Sequence, residues 1–340
     1  MNEMTKLTAK DFATDQEVRW CPGCGDYAVL KAVQRTLPEL GVRPENVVFV
    51  SGIGCSSRFP SYMETYGFHT IHGRAPTFAT GIKLANPELD VWIITGDGDA
   101  LSIGGNHTMH VLRRNLDCQI LLFNNEIYGL TKGQYSPTSR VGTRSPSTPF
   151  GSLDRPISPS AFALGSGARF VARGIDVNKF LPDVLKAAHR HRGASFVEIF
   201  QNCIVYNDDV FAPFTAKENA GKQLWLEAGK PMLFAGGARG LTLDREGLCL
   251  KVVDVEGGDW HGAGVILHDP KNKSVAHMLI DMPFGPFPMA LGVIYEDPAP
   301  TFESVVREQN AAASAGKTAD LQKLVGKGQS WEVTKEPHVI

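Results

Sequence analysis

No apolar run in this chain approaches the length needed to cross a bilayer. The most apolar stretches, 91–95 and 120–123, are five and four residues long, against the ~20 that a spanning helix needs. A membrane protein is therefore not expected. Basic excess is also missing: 34 Lys and Arg face 36 Asp and Glu, for a net charge of −2. That balance lacks the electrostatic footprint of a nucleic-acid binder. The first twenty residues hold no apolar segment of signal-peptide type, so a cytoplasmic location is expected. No internal repeat or low-complexity tract occurs. No GxGxxG follows an early strand, which leaves a nicotinamide-dinucleotide site unsupported. No CxxCxxCxxxCP stretch exists, so further clusters of ferredoxin type would have to come from another chain.

Cysteine is scarce, with six in 340 residues, at positions 21, 24, 55, 118, 203 and 249. In a chain of this length with no export signal, metal or cluster ligation is the better reading for some of them than a disulfide framework. Glycine is abundant, at 35 residues without period, which suits tight turns and close approach of backbone to a ligand. A hydrophobic content of 43% is ample for a large core.

Apolar strands alternate with amphipathic helices along the first two hundred residues. Helices are expected at 26–37 (limited by Pro38), 75–85 (closed by Asn86-Pro87), 107–114, 160–167 and 177–191. Strands are expected at 46–51, 91–95, 119–123, 170–173 and 196–200, apolar on both faces. The pattern is that of an α/β protein with a mainly parallel sheet and flanking helices. Residues 1–20 read as a loose arm, and 133–160 as a long ordered loop of the kind that covers a site. Beyond about 205 the pattern weakens to a connector at 211–224, irregular strands over 225–300, a helix at 301–314 and a peripheral tail. We expect a core over 1–210 and, over 211–340, an extension packing on that core and on a partner.

Two constellations carry chemistry. Cys21-Pro-Gly-Cys24 places two thiols on a tight turn, Cys55 follows the strand at 46–51, and Cys203 follows the strand at 196–200. In a parallel sheet those strand ends share one edge, where ligands bind. Four soft ligands suit an iron–sulfur cluster or zinc. On spacing alone, thiol redox chemistry and an absence of metal also remain open. Cys118 and Cys249 are expected to be small core residues.

The second constellation is Gly96-Asp97-Gly98 after one strand and Asn124-Asn125 after the next. Asp97 and Asn125 lie 28 residues apart, with a helix between, which returns both to the same sheet edge. A carboxylate, an amide oxygen and a nearby carbonyl form a hard oxygen set suited to Mg²⁺. Such an ion can hold a diphosphate, with glycines and a helix N-terminus to support it.

WCPGCG (20–25), GIGCSS (52–57), HGRA (72–75), GDGD (96–99), GGNH (104–107) and NNEIYGLTKGQYSPTS (124–139) together resemble the β subunit of the 2-oxoacid:ferredoxin oxidoreductases. The resemblance covers roughly residues 16–300. The stretch SPTSRVGTRSPSTPFGS is similar to the bacterial 2-oxoglutarate enzymes in particular. It implies a thiamin-diphosphate-binding fold and one [4Fe–4S] cluster on Cys21, Cys24, Cys55 and Cys203. It also implies Mg²⁺ on the side chains of Asp97 and Asn125 and the carbonyl of Ile127. The implied cofactor pocket takes in Gly54, Cys55, Ser56, His72, Gly73, Gly96, Gly98, Asp99, Tyr128 and Gly129. Lys132 resembles a contact to the substrate carboxylate, and His72 is its companion candidate in catalysis. Asp99 is expected to orient the diphosphate loop or to cap the following helix. His107 is expected to pack behind the site, and Arg58 to pair with a carboxylate or pack near the cluster.

The implied reaction is coenzyme A-dependent oxidative decarboxylation of 2-oxoglutarate to succinyl-CoA and CO₂, with electrons passing through the cluster to ferredoxin. No residue stands out as the acid that activates the aminopyrimidine; Glu64 is the nearest by position. The family takes that acid from an α subunit, so an αβ unit, itself able to pair, is expected. Pyruvate or another 2-oxoacid, a non-oxidative thiamin enzyme, and a zinc-bound structural subunit are the competing readings.

Overall fold

The computed structural model describes residues 7–331, which fall into two compact units divided after Glu303. The first unit is built on an eight-stranded sheet. Its strands in chain order are β1 (Val47–Ser51), β2 (Tyr66–His69), β3 (Asp90–Gly96), β4 (Cys118–Asn124), β5 (Phe170–Ile175), β6 (Ala194–Phe200) and β7 (Gln223–Leu226). Three further strands, β8 (Leu233–Phe234), β9 (Arg239–Asp244) and β10 (Cys249–Asp254), form a small antiparallel sheet. The strand β11 (Met289–Glu296) returns to the large one.

The order across the large sheet is β2-β1-β3-β4-β6-β5-β11-β7. Every pairing is parallel except β11 against β5. The main helices are α1 (Asp26–Leu40), α2 (Ala75–Ala85), α3 (Asp97–Leu101), α4 (Gly105–Arg114), α5 (Pro159–Gly165) and α6 (Leu181–Arg190).

The central strands are buried from end to end, as their largely apolar runs require, with Gln119 and Glu198 as buried polar exceptions. Alternate residues then feed two cores. Val48, Val50, Ile93, Ile120 and Leu122 pack on one face with residues of α2, α4 and α5. Phe49, Trp92, Ile94, Leu121 and Phe123 pack on the other with residues of α1 and α6. Because β1, β3, β4 and β6 are parallel neighbours, their C-terminal ends open onto one edge. Gly52–Cys55, Asp97, Asn125 and Cys203 all emerge there.

Several expectations need correction. Helix α1 runs through Pro38 and stops at Gly41, whose φ of 72° only glycine adopts freely. Pro38 is tolerated because it lies in the last turn. Helix α6 begins at Leu181, not at 177, since Asn178 Oδ1 accepts from the Phe180 N–H at 2.8 Å and forms a turn there. The arm is fastened over its described part: Phe12 and Trp20 are buried, and Ala13 bridges Met63. Residues 211–224 contain two short helical segments, Ala212–Thr215 and Lys217–Lys222. Cys249 is exposed, not a core residue, because the strand β10 turns alternate side chains to solvent and buries Leu250 instead. Cys118 is buried as expected.

Strands β7 and β11, both beyond residue 210, extend the same large sheet as the first six. The expected helix near the end of the chain is present as Phe302–Ser314. No described helix is long and apolar enough to cross a membrane.

Candidate active site

Asp97 opens α3 directly at the end of β3, and its side chain is 3% exposed. Its Oδ2 accepts from the hydroxyls of Ser136 and Thr138, each at 2.5 Å. Both donors come from the long loop over 133–160, which is thereby latched to the sheet edge. Burial pushes the Asp97 carboxyl up to about 6, with the two hydroxyls pulling the other way. A cation beside it would reverse that push.

Asn125 follows β4. Its Nδ2 donates to Gln201 Oε1 at 2.8 Å, and its Oδ1 accepts from the Ile127 N–H at 3.2 Å. Tyr128 crosses back to α3, where its hydroxyl donates to the Gly98 carbonyl at 3.2 Å.

Asp99 joins three segments around the site. It is 3% exposed. Its Oδ1 accepts from the Ile53 and Gly73 N–H groups at 3.0 and 2.7 Å and lies 2.6 Å from His72 Nδ1. Its Oδ2 accepts from Thr95 Oγ1 at 2.7 Å. One carboxylate thus ties together the loop after β1, the His72 loop and the end of β3. Gly73 permits this because a side chain there would run into the Gly104 backbone at 2.5 Å.

These groups surround a cavity of about 100 Å³. Gly54, Cys55, Ser56, His72, Gly96, Asp97, Gly98, Asp99, Asn125, Ile127, Tyr128 and Gly129, all proposed from the sequence for the cofactor, line it. Gly73 does not line it and serves Asp99 from behind. Asp26, Ile53, Phe123, Leu130 and Thr131 also line it and were missed. For Asp26 a signal existed, since it directly follows CPGCG. Glu64 is exposed and lies outside the lining. His107 contacts Arg74, behind the site as expected.

A second cavity of about 220 Å³ adjoins the first. Cys21, Cys24, Cys55 and Cys203 all line it, together with Arg19, Arg58, Lys132 and Gln201. The CxxC turn is drawn in by the Gly25 N–H, which donates to Asn202 O at 3.2 Å. Trp20 Nε1 donates to Cys55 O at 2.7 Å and fixes the arm to the same loop. Burial and the nearby Asp26 carboxylate push the Cys24 thiol up strongly, and Cys55 up to about 12, with Arg58 opposing at Cys55. Lys132, with φ of 75°, stands exposed on this cavity and not on the first.

Asp26, Cys55, Asn125, Gly129 and Leu130 line both cavities. Asp26 is 1% exposed, and its Oδ2 has no hydrogen-bond partner among the described residues. Burial and then Asp176 push it up to about 7. Gly129 brings backbone against the sulfurs, since a Cβ there would lie 3.4 Å from Cys203 Sγ and 3.6 Å from Cys55 Sγ. Among the described residues no three His, Cys, Asp or Glu side chains converge on the radius of a single ion.

A parallel sheet with an acidic turn and an Asn pair at adjoining strand ends is an arrangement suited to a divalent cation and the diphosphate it holds. Residues 52–199 match the family model described as the thiamine pyrophosphate enzyme C-terminal TPP-binding domain. The chain is 48% identical to 2-oxoglutarate oxidoreductase subunit KorB of Mycobacterium tuberculosis, over 95% of this chain and 88% of that one. It is 49% identical to 2-oxoacid:ferredoxin oxidoreductase 1 subunit beta of Aeropyrum pernix, over 62% of this chain and 67% of that one. The solved 2-oxoglutarate:ferredoxin oxidoreductase from Magnetococcus marinus, with 2-oxoglutarate, coenzyme A and succinyl-CoA bound, superimposes with a TM-score of 0.76. That match has 30% identity and covers 97% of this chain and 98% of that one. The chain belongs to the β subunits of the 2-oxoacid:ferredoxin oxidoreductases.

Proposed function

We propose that this chain, with an α subunit, oxidatively decarboxylates 2-oxoglutarate to succinyl-CoA and CO₂ and delivers the electrons to ferredoxin. The observation that carries the reading is the pair of adjoining cavities with shared walls, one bearing the Asp97–Asn125 oxygen set and the other four cysteines. The donor chemistry fits both groups. Asp97 and Asn125 side chains and the Ile127 carbonyl would hold Mg²⁺, with Gly96, Gly98 and the Gly54–Ser56 turn close to the diphosphate. Cys21, Cys24, Cys55 and Cys203 would hold one [4Fe–4S] cluster, whose metal would ionise thiols that burial otherwise keeps protonated. When bound, thiamin diphosphate supplies the electron sink that loss of CO₂ from a 2-oxoacid needs.

The protein's own part is placement. Asp99 fixes the walls of the cofactor cavity through His72, Gly73 and Ile53. His72, on the cofactor cavity, is assigned a contact to the substrate; Lys132 is assigned the substrate carboxylate on the family resemblance, although it stands on the cysteine cavity and would have to reach past the wall shared through Gly129 and Leu130. Arg140 is less available for a dicarboxylate than its loop suggests, because it pairs with Glu126 at 3.0 Å and donates to Val210 O. Arg58 and Lys132 beside the cysteine cavity supply positive charge that favours an acidic electron acceptor such as ferredoxin, while Arg19 is paired with Glu17 at 2.8 Å. The names of the M. tuberculosis and M. marinus proteins support 2-oxoglutarate over pyruvate. The region beyond 210 is assigned to contacts with the α subunit, in an αβ unit that pairs further.

Iron and acid-labile sulfide in the anaerobically isolated αβ complex test the cofactor assignment. About four irons per β chain, lost in Cys203→Ala, is the expected result. Zinc without iron would overturn it in favour of a structural subunit.

A further inference from the structure

Gln201 is the first residue past β6, and its side chain is 1% exposed. It touches both cofactor sites. Its Oε1 accepts from Asn125 Nδ2 at 2.8 Å, while its Nε2 donates to Asn202 O at 2.6 Å and to Cys24 Sγ at 3.3 Å. The Gln201 N–H donates to Asn124 O at 2.8 Å, which pins the residue's backbone between β4 and β6.

The orientation of this amide follows from its neighbours. The Asn202 carbonyl can only accept, so the nitrogen of Gln201 must face it. The oxygen then faces Asn125 and obliges that residue to present its nitrogen to Gln201. Asn125 Oδ1 is thereby left for the other side, where the Ile127 N–H already meets it. Without Gln201 the Asn125 amide could rotate by half a turn and offer N–H donors where a cation needs an oxygen. The second N–H of Gln201 is spent on the Cys24 sulfur. A hydrogen bond to a cluster sulfur stabilises the more electron-rich, reduced state and so raises the reduction potential.

We propose that Gln201 is a positioning residue shared by the two cofactors: it orients Asn125 toward the cation and tunes the cluster through Cys24. The inference rests on the assignments of Asn125 and Cys24 made above. It implies that Mg²⁺ affinity and cluster potential are set partly by one side chain, and can be separated by choosing what replaces it.

The test uses the anaerobic αβ complex as wild type, Gln201→Glu and Gln201→Leu. Two quantities are read: Mg²⁺ affinity at saturating thiamin diphosphate, by calorimetric titration, and cluster midpoint potential, by redox titration followed by electron paramagnetic resonance. Gln201→Leu removes both contacts, so Mg²⁺ should bind ~10–100-fold more weakly, the usual range for loss of a group behind a metal ligand. Its potential should shift negative. Gln201→Glu, buried and protonated, would donate its one O–H to the Asn202 carbonyl and keep an acceptor for Asn125 but no donor for Cys24, so Mg²⁺ affinity should stay near wild type while the potential falls. Wild-type affinity and potential in Gln201→Leu would overturn the proposal. So would equal loss of Mg²⁺ affinity in both variants, because a retained acceptor would then make no difference. A wild-type complex with no iron signal or no Mg²⁺ dependence would instead defeat the cofactor assignments, and this inference with them.

Discussion

Replacing Gly98 by alanine should damage cofactor binding by an amount set by one ring. Gly98 lies in the first turn of α3, next to Asp97, with Tyr128 packed across it. A Cβ at this position would fall 2.2 Å from Tyr128 Cε1 and 2.5 Å from Cζ, where real contacts essentially never come under 3.0 Å. The ring must retreat by nearly an ångström or the α3 turn must shift, and either movement strains the 3.2 Å hydrogen bond from the Tyr128 hydroxyl to the Gly98 carbonyl. Overpacking of this size costs ~1–3 kcal/mol and the lost hydrogen bond about 1 more. Because both residues line the thiamin cavity, the strain should appear as ~30-fold to ~1000-fold weaker binding of thiamin diphosphate, at ~1.4 kcal/mol per tenfold. Calorimetric titration of the αβ complex at saturating Mg²⁺ reads it directly. Gly81→Ala is the control: nothing lies within 4 Å of its Cβ. It sits inside α2, where alanine should stabilise by ~0.5–1 kcal/mol and leave affinity alone. Wild-type affinity in Gly98→Ala would refute the reasoning.

Two further changes test buried groups outside the linings of the two cavities. Arg173 and Glu198 form a buried pair at 3.0 Å with side chains 7% and 2% exposed. Arg173→Leu should therefore cost ~3–5 kcal/mol by leaving a buried carboxylate without its cation. Denaturant unfolding of the complex measures this, and a loss under ~1 kcal/mol would contradict the assignment of the pair as buried and coupled. His268 is held below its usual pKa by burial, although its Nε2 meets the Val293 carbonyl at 2.8 Å. With the folded pKa below the unfolded value of 6.5, the unfolded chain binds more protons as pH falls, so stability present above pH 6.5 is lost below it. Melting temperatures from pH 7.5 down to about 5.5 should fall less steeply in His268→Gln; parallel slopes would show that His268 does not contribute.

The parts of the fold legible in the sequence are those where burial is symmetric or punctuation is strong. The five central strands carry mostly apolar runs because both faces are covered, and the two charges that break them, Arg173 and Glu198, pair with each other. The helix Ala75–Ala85 appears with its expected bounds, since Pro76 opens it and Asn86-Pro87 closes it. The strand Tyr66–His69 escaped because all four of its residues are exposed at the sheet edge, so no burial period marks it. The strand Met289–Glu296 falls among the irregular strands expected over 225–300, but its place in the large sheet was not legible, because it pairs with β5 more than a hundred residues away and is broken by an irregularity between Val293 and Tyr295.

The site follows the same logic. Parallel order brings strand ends together, so Asp97, Asn125, Cys55 and Cys203 could be grouped from spacing. Of the residues that join the two cavities, Asp26 could have been flagged by its place directly after CPGCG, but Gln201 could not, because it acquires its meaning from groups far along the chain. Gln201 reaches Asn125, 76 positions away, and Cys24, 177 away.

The most direct test of the account is anaerobic reduction of methyl viologen by the αβ complex loaded with iron, Mg²⁺ and thiamin diphosphate, with 2-oxoglutarate compared against pyruvate in the presence of coenzyme A. The account predicts coenzyme A-dependent reduction with a clear preference for 2-oxoglutarate. Preference for pyruvate would overturn the substrate assignment, and no reduction with either acid by a fully loaded complex would contradict the proposed oxidation itself.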